Sequence, residues 1–588
     1  MVFTATSTGL ANYATLNLDS AIGSTGAVTL GLGSAGIGNV TLSGANTYTG
    51  TTNVGGGGAN QGVITIANKS VFGTSAVFFS GNVQASADLS GPTNKITNSS
   101  TINAAALFQG TNNIELGGAM NGNGRTITNN ISGGALTISG NVGIFGTDVT
   151  SKTFYIAGSG NTTISGIIDD NQAGTHINAG ALSYSGTGTL TLTGPNIFTG
   201  ATNISSGTIS VSSLNSVGVG GSSSLGAPTN ATNGRINFGS AGAITGTLLY
   251  TGAGETTDRD IRLVGNGVIQ NNGSGALNFT SPVLASQTAP ATLTLGGSNT
   301  GNNTFGGVIP NGSVTNTTSV TKADAGKWML SGTNTYTGAT MVTAGTLILS
   351  GTGSVNTSSA INVSGGAKFV NNSSVAVNAA LIVLAGSGVG SRAVLGGGSS
   401  FTGALALNDI GDTLAPGGSS PGIATFSSGQ VWSNFSYDWK INNFVGTVPG
   451  TDYDAIAITG GLALSGTYQL NLLSLTAGNV PGFVGGFTDQ AKTWNILTTT
   501  TGITGFNAAN WSIDTTGFTS SPAFAGSFSL GVTGNNLVLN YAAPEPATWV
   551  YLMGGMGALL ALRTIRRRQT RLSRVFLRRP VPPLNPLP

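Results

Sequence analysis

The chain has 588 residues, of which 95 are Gly, none are Cys and only 7 % are charged. Soluble globular domains carry about 25 % charged residues, so this composition is unlike that of an average globular enzyme. The apolar content of 39 % also argues against a disordered chain. The absence of Cys excludes disulfide frameworks, thiolate metal sites and cysteine nucleophiles. Low charge with abundant Gly, Thr, Ser and Asn is typical of repetitive β structure with tight turns.

The net charge of +3 conceals two parts of opposite charge. Eight of the 21 basic residues follow Leu562, whereas all 18 acidic residues lie at or before Glu545, which leaves the body of the chain with a net charge of −5. Because no basic stripe lies outside the tail, nucleic acid is not expected as a partner.

The first residues do not form a secretory signal. They have no apolar stretch of the required length, and the first Lys or Arg is Lys69. Since other features below indicate export, we expect the start of this sequence to be internal or misassigned.

A segment of eleven residues occurs three times, at 42–52, 192–202 and 330–340. Weaker markers recur at a spacing of about 140 residues, so each long repeat is expected to contain several structural units. The positions that the three copies share are Gly44, Asn46, Tyr48 and Gly50, then Gly194, Asn196, Phe198 and Gly200, and finally Gly332, Asn334, Tyr336 and Gly338.

Strict alternation accompanies the repeats. In 189–193 Thr and Leu alternate, so the Leu side chains are predicted to face a core and the Thr side chains to face water. The shared Gly residues suit turns with positive φ, and the shared Asn residues suit left-handed positions or stacked amide ladders. The shared aromatic position is predicted to be a corner of the fold; an aromatic track that binds a ligand is the alternative.

These segments resemble the autotransporter-associated β-strand repeat, which occurs in passenger regions of large bacterial surface proteins. The resemblance covers roughly residues 30–425. It implies an all-β fold: a right-handed parallel β-helix, that is, a solenoid. We expect residues 1–425 to form this β-helix repeat region.

Residues 414–422 resemble a closing loop that follows such repeats, and aromatic residues become frequent after it. We therefore expect residues 426–541 to form a β-rich C-terminal cap, either a wider end of the helix or a small sandwich.

The tail combines three features in order: the motif Pro544, Glu545 and Pro546, an apolar run from Ala547 to Leu562, and the basic residues Arg563, Arg566, Arg567 and Arg568. This order resembles the PEP-CTERM sorting signal of Gram-negative bacteria. We expect residues 542–568 to be this signal with a short hydrophobic helix, and residues 569–588 to be a basic, Pro-rich cytoplasmic tail.

The apolar run is short for a permanent span. Its 16 residues would form a helix about 24 Å long, whereas a full span needs about 20 residues. The positive-inside rule places the arginines on the cytoplasmic side. The resemblance implies that an exosortase-type membrane peptidase recognises Pro544, Glu545 and Pro546 in this chain as its substrate; an ordinary C-terminal membrane anchor is the alternative.

Few residues could carry catalysis. Three carboxylate pairs could serve a glycosidase: Asp169 with Asp170, Asp258 with Asp260, and Asp452 with Asp454. The second pair flanks Arg259 and is interpreted as a solvated charge cluster. His176 is the sole histidine, which gives no basis for a metal site or a catalytic triad. No catalytic residue, metal or cofactor is predicted.

The sequence thus predicts an exported, non-enzymatic protein of the cell surface or extracellular matrix of a Gram-negative bacterium, adhesive or structural in role. It would be anchored in the inner membrane before processing. Extracellular polysaccharide is the expected partner outside the cell. The alternative is a polysaccharide-active enzyme, a lyase or glycosidase, on the same fold.

Overall fold

The structure, a computed structural model, describes residues 2–5, 15–23, 28–32, 39–55, 62–145, 152–170, 178–544 and 558–567. Its strands, numbered β1 to β51 in chain order, pair almost entirely in parallel with strands one turn further along the chain. The chain therefore winds as a parallel β-helix, which confirms the predicted all-β solenoid. One turn of this winding is a coil, and its length varies: Ile64 pairs with Val83, whereas Ile204 pairs with Phe238.

Two ladders begin close to the N-terminus. The first contains β1 (Val2–Ala5), β3 (Val28–Leu32), β5 (Thr52–Val54), β7 (Val77–Phe79), β9 (Ser100–Ile102), β12 (Met120–Asn121), β15 (Val142–Gly143) and β18 (Ile168–Asp169). The second contains β2 (Thr15–Leu18), β4 (Asn39–Leu42), β6 (Val63–Ile66), β8 (Asn82–Ala85), β10 (Ala106–Gly110), β13 (Thr126–Ile131), β16 (Thr153–Ala157), β19 (Ala181–Leu192), β20 (Thr202–Val211), β21 (Ile236–Phe238), β24 (Ile261–Leu263) and β27 (Val283–Ala285).

The third ladder shares two long strands with the second. The first half of β19 pairs with β16 and its second half pairs with β17, and β20 divides in the same way. Besides β19 and β20, the third ladder contains β11 (Ile114–Leu116), β14 (Leu136–Ile138), β17 (Thr162–Ile164), β22 (Thr245–Tyr250), β25 (Asn266–Asn271), β28 (Ala291–Gly296), β30 (Thr318–Lys322), β32 (Thr340–Val342), β34 (Ile361–Ser364) and β37 (Ile382–Ala385).

Three further ladders begin after residue 250. The fourth, which carries the candidate site, contains β23 (Glu255–Thr257), β26 (Leu277–Phe279), β29 (Asn303–Phe305), β31 (Lys327–Leu330), β33 (Gly345–Gly351), β35 (Ala367–Ser373), β38 (Ala393–Gly397), β40 (Asn408–Pro416), β43 (Asn434–Ile441), β46 (Tyr468–Ser474) and β49 (Trp511–Asp514). The fifth contains β36 (Val377–Asn378), β39 (Ser400–Thr402), β41 (Ile423–Phe426), β44 (Ala455–Ile458), β47 (Lys492–Thr499), β51 (Asn536–Ala542) and β50 (Ser527–Thr533), and the sixth contains β42 (Gln430–Trp432), β45 (Leu462–Leu464) and β48 (Ile503–Thr504).

Aliphatic side chains stack into columns inside the coils. One column runs through nine successive strands of the third ladder: Leu190, Ile209, Leu248, Ile269, Leu295, Lys322, Val342, Val363 and Leu384. These side chains are buried, and the alternate positions of the strands are more exposed. The inward Leu and outward Thr predicted for 189–193 are thereby confirmed.

The column has one charged member, Lys322. Its side chain is fully buried, and its ammonium donates hydrogen bonds to the backbone oxygens of Asp324 at 2.7 Å and Ala344 at 3.1 Å. Backbone carbonyls at the end of the strand therefore satisfy a charge that the apolar column cannot.

The coils widen after residue 425. Tyr437 pairs with Leu470, and Leu470 pairs with Ile513, so the last two steps span 33 and 43 residues. The strands β50 and β51 then pair antiparallel, β51 on β47. The segment 414–422 does not close the solenoid, contrary to the resemblance, because β43, β46 and β49 continue the same parallel ladder beyond it.

Helical segments are few in the part of the chain that the structure describes. They are α1 (Gly91–Asn94), two 3-10 turns (Ala379–Leu381 and Ala508–Asn510) and a helix at 558–567. Among the described residues, no helix combines the length and the apolar character that crossing a membrane requires.

Candidate functional site

The Asn of the repeat motif links three successive coils. The side chain of Asn196 accepts a hydrogen bond from the backbone N–H of Ile168 at 2.8 Å and donates one to the backbone oxygen of Ser224 at 2.7 Å. Asn46 makes the equivalent pair of bonds to Ile22 and Val71, and Asn334 makes it to Ile309 and Ser354. None of the three has a positive φ, so the left-handed conformation, one of the two expected arrangements, was wrong, and each amide bonds to backbone.

The aromatic of the motif lies inside the coil. Tyr48, Phe198 and Tyr336 are each at most 1 % exposed, so none can form the aromatic ligand track considered as an alternative. The hydroxyl of Tyr336 bonds to Thr340 at 2.7 Å, and that of Tyr48 bonds to Thr52 at 2.8 Å. These Thr residues face the core, and the Tyr hydroxyl gives them a partner there.

The motif glycines are needed for close approach of the backbone. A Cβ on Gly194 would lie 2.3 Å from the oxygen of Gly166, and one on Gly332 would lie 2.6 Å from the oxygen of Gly307. Neither glycine has a positive φ, so the expected reason for their presence was wrong. The same close approach to the preceding coil holds for Gly44, Gly200 and Gly338.

In the first two predicted carboxylate pairs, Asp170, Asp258 and Asp260 make structural contacts, whereas the buried Oδ1 of Asp169 has no hydrogen-bond partner among the described residues. Asp170 accepts bonds from the N–H groups of Gly180 and Thr199 and from the Thr199 hydroxyl. Burial, together with the charge of Asp170, raises the pKa of Asp169 to about 6. Asp258 accepts a bond from the N–H of Val217 at 2.7 Å.

Arg259, between Asp258 and Asp260, is fully buried, so the interpretation as a solvated charge cluster was wrong for this residue, whereas Asp258 is exposed. Its guanidinium donates to the backbone oxygens of Asn215 and Gly226, each at 3.2 Å. Burial lowers the pKa of Arg259 to about 10. The side chain therefore holds the long loop 212–235 against β23.

The third pair is also engaged in structure. Asp454 is fully buried and forms an ion pair with Lys440 at 2.6 Å, and it accepts a bond from the N–H of Gly422 at 2.8 Å. Burial raises the pKa of Asp454 to about 7. Because Lys440 also donates to the oxygen of Pro416 at 2.6 Å, this ion pair holds both ends of the loop 416–422. Asp452 instead accepts bonds from Asn443 and from the N–H of Val448.

The predicted sorting residues fall partly outside the described residues. Glu545, Pro546 and Arg568 lie outside them, as does His176, whereas Pro544 is the last described residue before the gap. Arg563, Arg566 and Arg567 lie on the exposed helix at 558–567. Their predicted roles in sorting and orientation stay predictions.

A polar groove lies on the outer face of the fourth ladder near its C-terminal end. Its volume is about 290 Å³, and its lining residues are Val389, Arg392, Ser436, Gln469, Asn471, Leu472, Leu473, Asp514, Thr516 and Gly517. The register explains how residues so distant in sequence meet: Asp438 pairs with Asn471, and Asn471 pairs with Asp514, on three adjacent strands.

Hydrogen bonds connect the polar side chains of the groove. Arg392 forms an ion pair with Asp438 and donates to the Thr413 hydroxyl at 3.0 Å. Asn471 donates to Asp438 at 2.7 Å and accepts from Gln469 at 2.9 Å. The N–H and hydroxyl of Thr516 hold the pKa of Asp514 below its usual value, so Asp514 is charged at neutral pH.

Two loops form the walls of the groove. On one side is the loop 386–391, which the Asp409 carboxylate holds by accepting the N–H of Gly388 at 2.7 Å. It carries Val389, whose side chain is 59 % exposed. On the other side is the turn after β49, where the N–H of Thr516 donates to Asp514 at 2.9 Å. The groove thus combines fixed polar groups with an apolar wall, as small-molecule sites do.

The sequence did not predict this groove. Alternation in β43 does place Asp438 on the outer face, because Phe435, Tyr437 and Trp439 face inward. No local sequence signal indicates that Arg392 pairs with Asp438, 46 residues later, because the coils differ in length.

Three segments of the chain match the passenger-associated-transport-repeat family, at residues 35–58, 184–211 and 320–349. Each contains one copy of the eleven-residue segment found in the sequence. The chain therefore carries autotransporter passenger repeats, and their presence on a parallel β-helix confirms that part of the predicted resemblance.

Two individual proteins are similar to this chain. The adhesin BmaC autotransporter of Brucella suis biovar 1 (strain 1330) is 44 % identical over 95 residues, which are 16 % of this chain and 3 % of that protein. The chain thus spans a small part of the length of this relative. The crystal structure of the Haemophilus influenzae Hap adhesin aligns with 88 % of this chain and 64 % of its own, at 12 % identity and a TM-score of 0.20.

Proposed function

We propose that this protein is a surface or matrix protein that adheres through the outer faces of its β-helix and catalyses no reaction. The observation that carries this proposal is the set of three passenger repeats, embedded in a continuous parallel coil. The similarity to an autotransporter adhesin over 95 residues supports it. At least one carboxylate of each predicted pair is engaged in structural contacts, which favours adhesion over the enzyme alternative.

The outer faces suit weak and repeated contacts. Outward positions on successive strands hold Thr, Ser and Asn, and stacked amides such as Asn203 and Asn237 bond to each other at 2.7 Å. Such groups donate and accept hydrogen bonds without charge. Many weak contacts along one rod add up by avidity, so strong attachment needs no single tight pocket. Extracellular polysaccharide is the partner we propose.

The proposal includes sorting through the tail. The apolar run would hold the protein in the inner membrane, with the arginines on the cytoplasmic side. An exosortase-type membrane peptidase would then recognise Pro544, Glu545 and Pro546 and release the coil to the cell surface or matrix.

Substitution of the motif tests this sorting. Alanines at Pro544, Glu545 and Pro546 should leave the full-size chain in the inner membrane, as judged by immunoblots of cell fractions. The matched control replaces a second Pro-X-Pro triplet of the tail, Pro586–Pro588, with alanines and should process normally. Normal release of the Pro544–Pro546 variant would contradict the proposed sorting.

Adhesion is tested separately, by comparing how cells with and without the protein attach to a polysaccharide-coated surface.

A further inference from the structure

We propose that the polar groove on the fourth ladder binds a neutral, straight-chain glycan of β-1,4-linked pyranose units, lying along the axis of the β-helix. This inference rests on the proposed adhesive function and assigns it one site. The groove is set apart from the rest of the outer surface because it has walls, an apolar contact and a connected polar floor.

The direction of the ligand follows from the register. Asp438, Asn471 and Asp514 occupy one row across adjacent strands, and Gln469 lies in the preceding row, whose members Thr413 and Ser436 are buried. Adjacent strands are ~4.8 Å apart, which is close to the length of one pyranose unit. An extended glycan crossing the strands would therefore present one sugar to each coil.

The chemistry of the floor favours hydroxyl groups. The amides of Gln469 and Asn471 and the carboxylate of Asp514 are planar groups that pair with neighbouring hydroxyls of a sugar ring. They are held in position, because Asn471 is only 9 % exposed and bonds to both Gln469 and Asp438. Preorganised groups lose little entropy when a ligand binds.

The charges argue against an acidic polysaccharide. Arg392 is neutralised by its ion pair with Asp438, and Asp514 adds one further negative charge. A uronic-acid chain would place its carboxylates against this surface, whereas a neutral chain has no such cost. The apolar wall at Val389 suits the C–H face of a pyranose ring.

The size of the groove limits the expected affinity. A volume of about 290 Å³ lies at the lower end of the range for small-ligand sites, which is about 300–1,000 Å³. We therefore expect weak binding, with a Kd of about 1 mM or somewhat below. Repetition along one polymer and over many copies of the protein would compensate by avidity.

The test is titration of the purified full-length chain in detergent with cellohexaose and with chitohexaose, followed by saturation-transfer NMR and calorimetry. At least one of these neutral probes should bind saturably. Gln469→Ala and Val389→Asp should each weaken binding at least tenfold. The matched control is Asn278→Ala, because Asn278 is a half-buried amide on β26 of the same ladder, outside the groove, and it bonds to the Thr256 hydroxyl at 3.3 Å. The affinity of the Asn278→Ala variant for the neutral probe should stay within twofold of the affinity of the parent protein.

Three results would overturn the proposal: no saturable binding of either neutral probe up to about 10 mM, equal affinity of the Gln469→Ala variant, or tighter binding of an oligogalacturonate hexamer than of the neutral probes. The Val389→Asp change lies on an exposed side chain, so failure to fold cannot explain its result. If neither neutral probe binds while cells that carry the protein still attach to a polysaccharide-coated surface, this site alone is overturned and the adhesive function stands.

Discussion

A Thr side chain in an apolar column needs a hydrogen-bond partner, and two of the three repeat copies provide one. Thr52 and Thr340 face the core and bond to the hydroxyls of Tyr48 and Tyr336. In the middle copy the aromatic is Phe198, and the hydroxyl of the equivalent Thr202 is buried without a partner. An unpaired buried hydroxyl costs about 1–3 kcal/mol.

Restoring this partner should stabilise the middle copy. Phe198→Tyr places a hydroxyl where the other copies have one, and we expect the free energy of unfolding to rise by about 1 kcal/mol. Thr202→Val removes the unpaired group and should also be neutral or stabilising. The measurement is the urea midpoint of each variant by circular dichroism.

The same change in an intact copy gives the control. Thr340→Val should lower the free energy of unfolding by about 1 kcal/mol or more, because it deprives the Tyr336 hydroxyl of its partner in the core. Equal effects of the two Thr→Val changes would contradict the explanation.

The charge of Lys322 should make stability depend on pH. Burial lowers the pKa of this ammonium from 10.5 to about 8, so above pH 8 the unfolded chain binds more protons than the folded chain. The free energy of unfolding should therefore rise with pH, by about 1 kcal/mol between pH 8 and pH 9. Urea titrations at each pH measure it.

The variant Lys322→Met lacks the titrating group and should show a flat profile over this interval. The window ends near pH 9.5, since burial raises the pKa of the Tyr336 hydroxyl and tyrosine ionisation then acts in the opposite direction. A profile with the same slope in both proteins would assign the effect to other groups.

At the scale of the element, stacking of coils depends on backbone that can approach backbone. Gly194 lies at the same corner as Gly166 of the preceding coil, and Gly166 in turn lies against Gly140. Any side chain in this series would separate two coils that hydrogen bonds hold together. The glycines therefore determine how closely neighbouring coils pack, and the turn conformation is not their reason.

Gly194→Ala should consequently destabilise the protein by about 1–3 kcal/mol, as expected for overpacking against atoms that cannot move. The matched control is Gly390→Ala. Gly390 is exposed and has no positive φ, and a methyl group added to it would have no other atom within 4 Å, so its change should stay within about 0.5 kcal/mol. Thermal midpoints of the two variants compare them directly; similar midpoints would refute the role given to Gly194.

At the scale of the whole molecule, the sequence was sufficient to predict the β-helix architecture. Local alternation in 189–193 predicted which side chains face inward, and the three motif copies predicted a solenoid. Both signals are local or periodic, so they need no knowledge of which strands are neighbours.

The interior polar residues and the groove could not be predicted in this way. Arg259 and Lys322 look like surface residues in sequence, and only the register places them inside. The groove joins Arg392, Asp438 and Asp514 from three coils of unequal length, and no periodicity in the sequence connects them. Contacts that depend on the length of intervening loops cannot be predicted from the periodicity of the sequence alone.

Columns of similar aliphatic side chains do not by themselves fix the register of the coils. A coil that packs one layer away from its correct position would still bury Leu against Ile. The rare interior polar groups oppose this error. Lys322 has carbonyl partners in its own layer and in the next one, and Arg259 and Asp454 have theirs at one height only. In a chain with a slipped register, each of these polar groups would lie among apolar side chains without its partners, at a cost of several kcal/mol. A few buried charges therefore determine the register in which the coils stack along the rod.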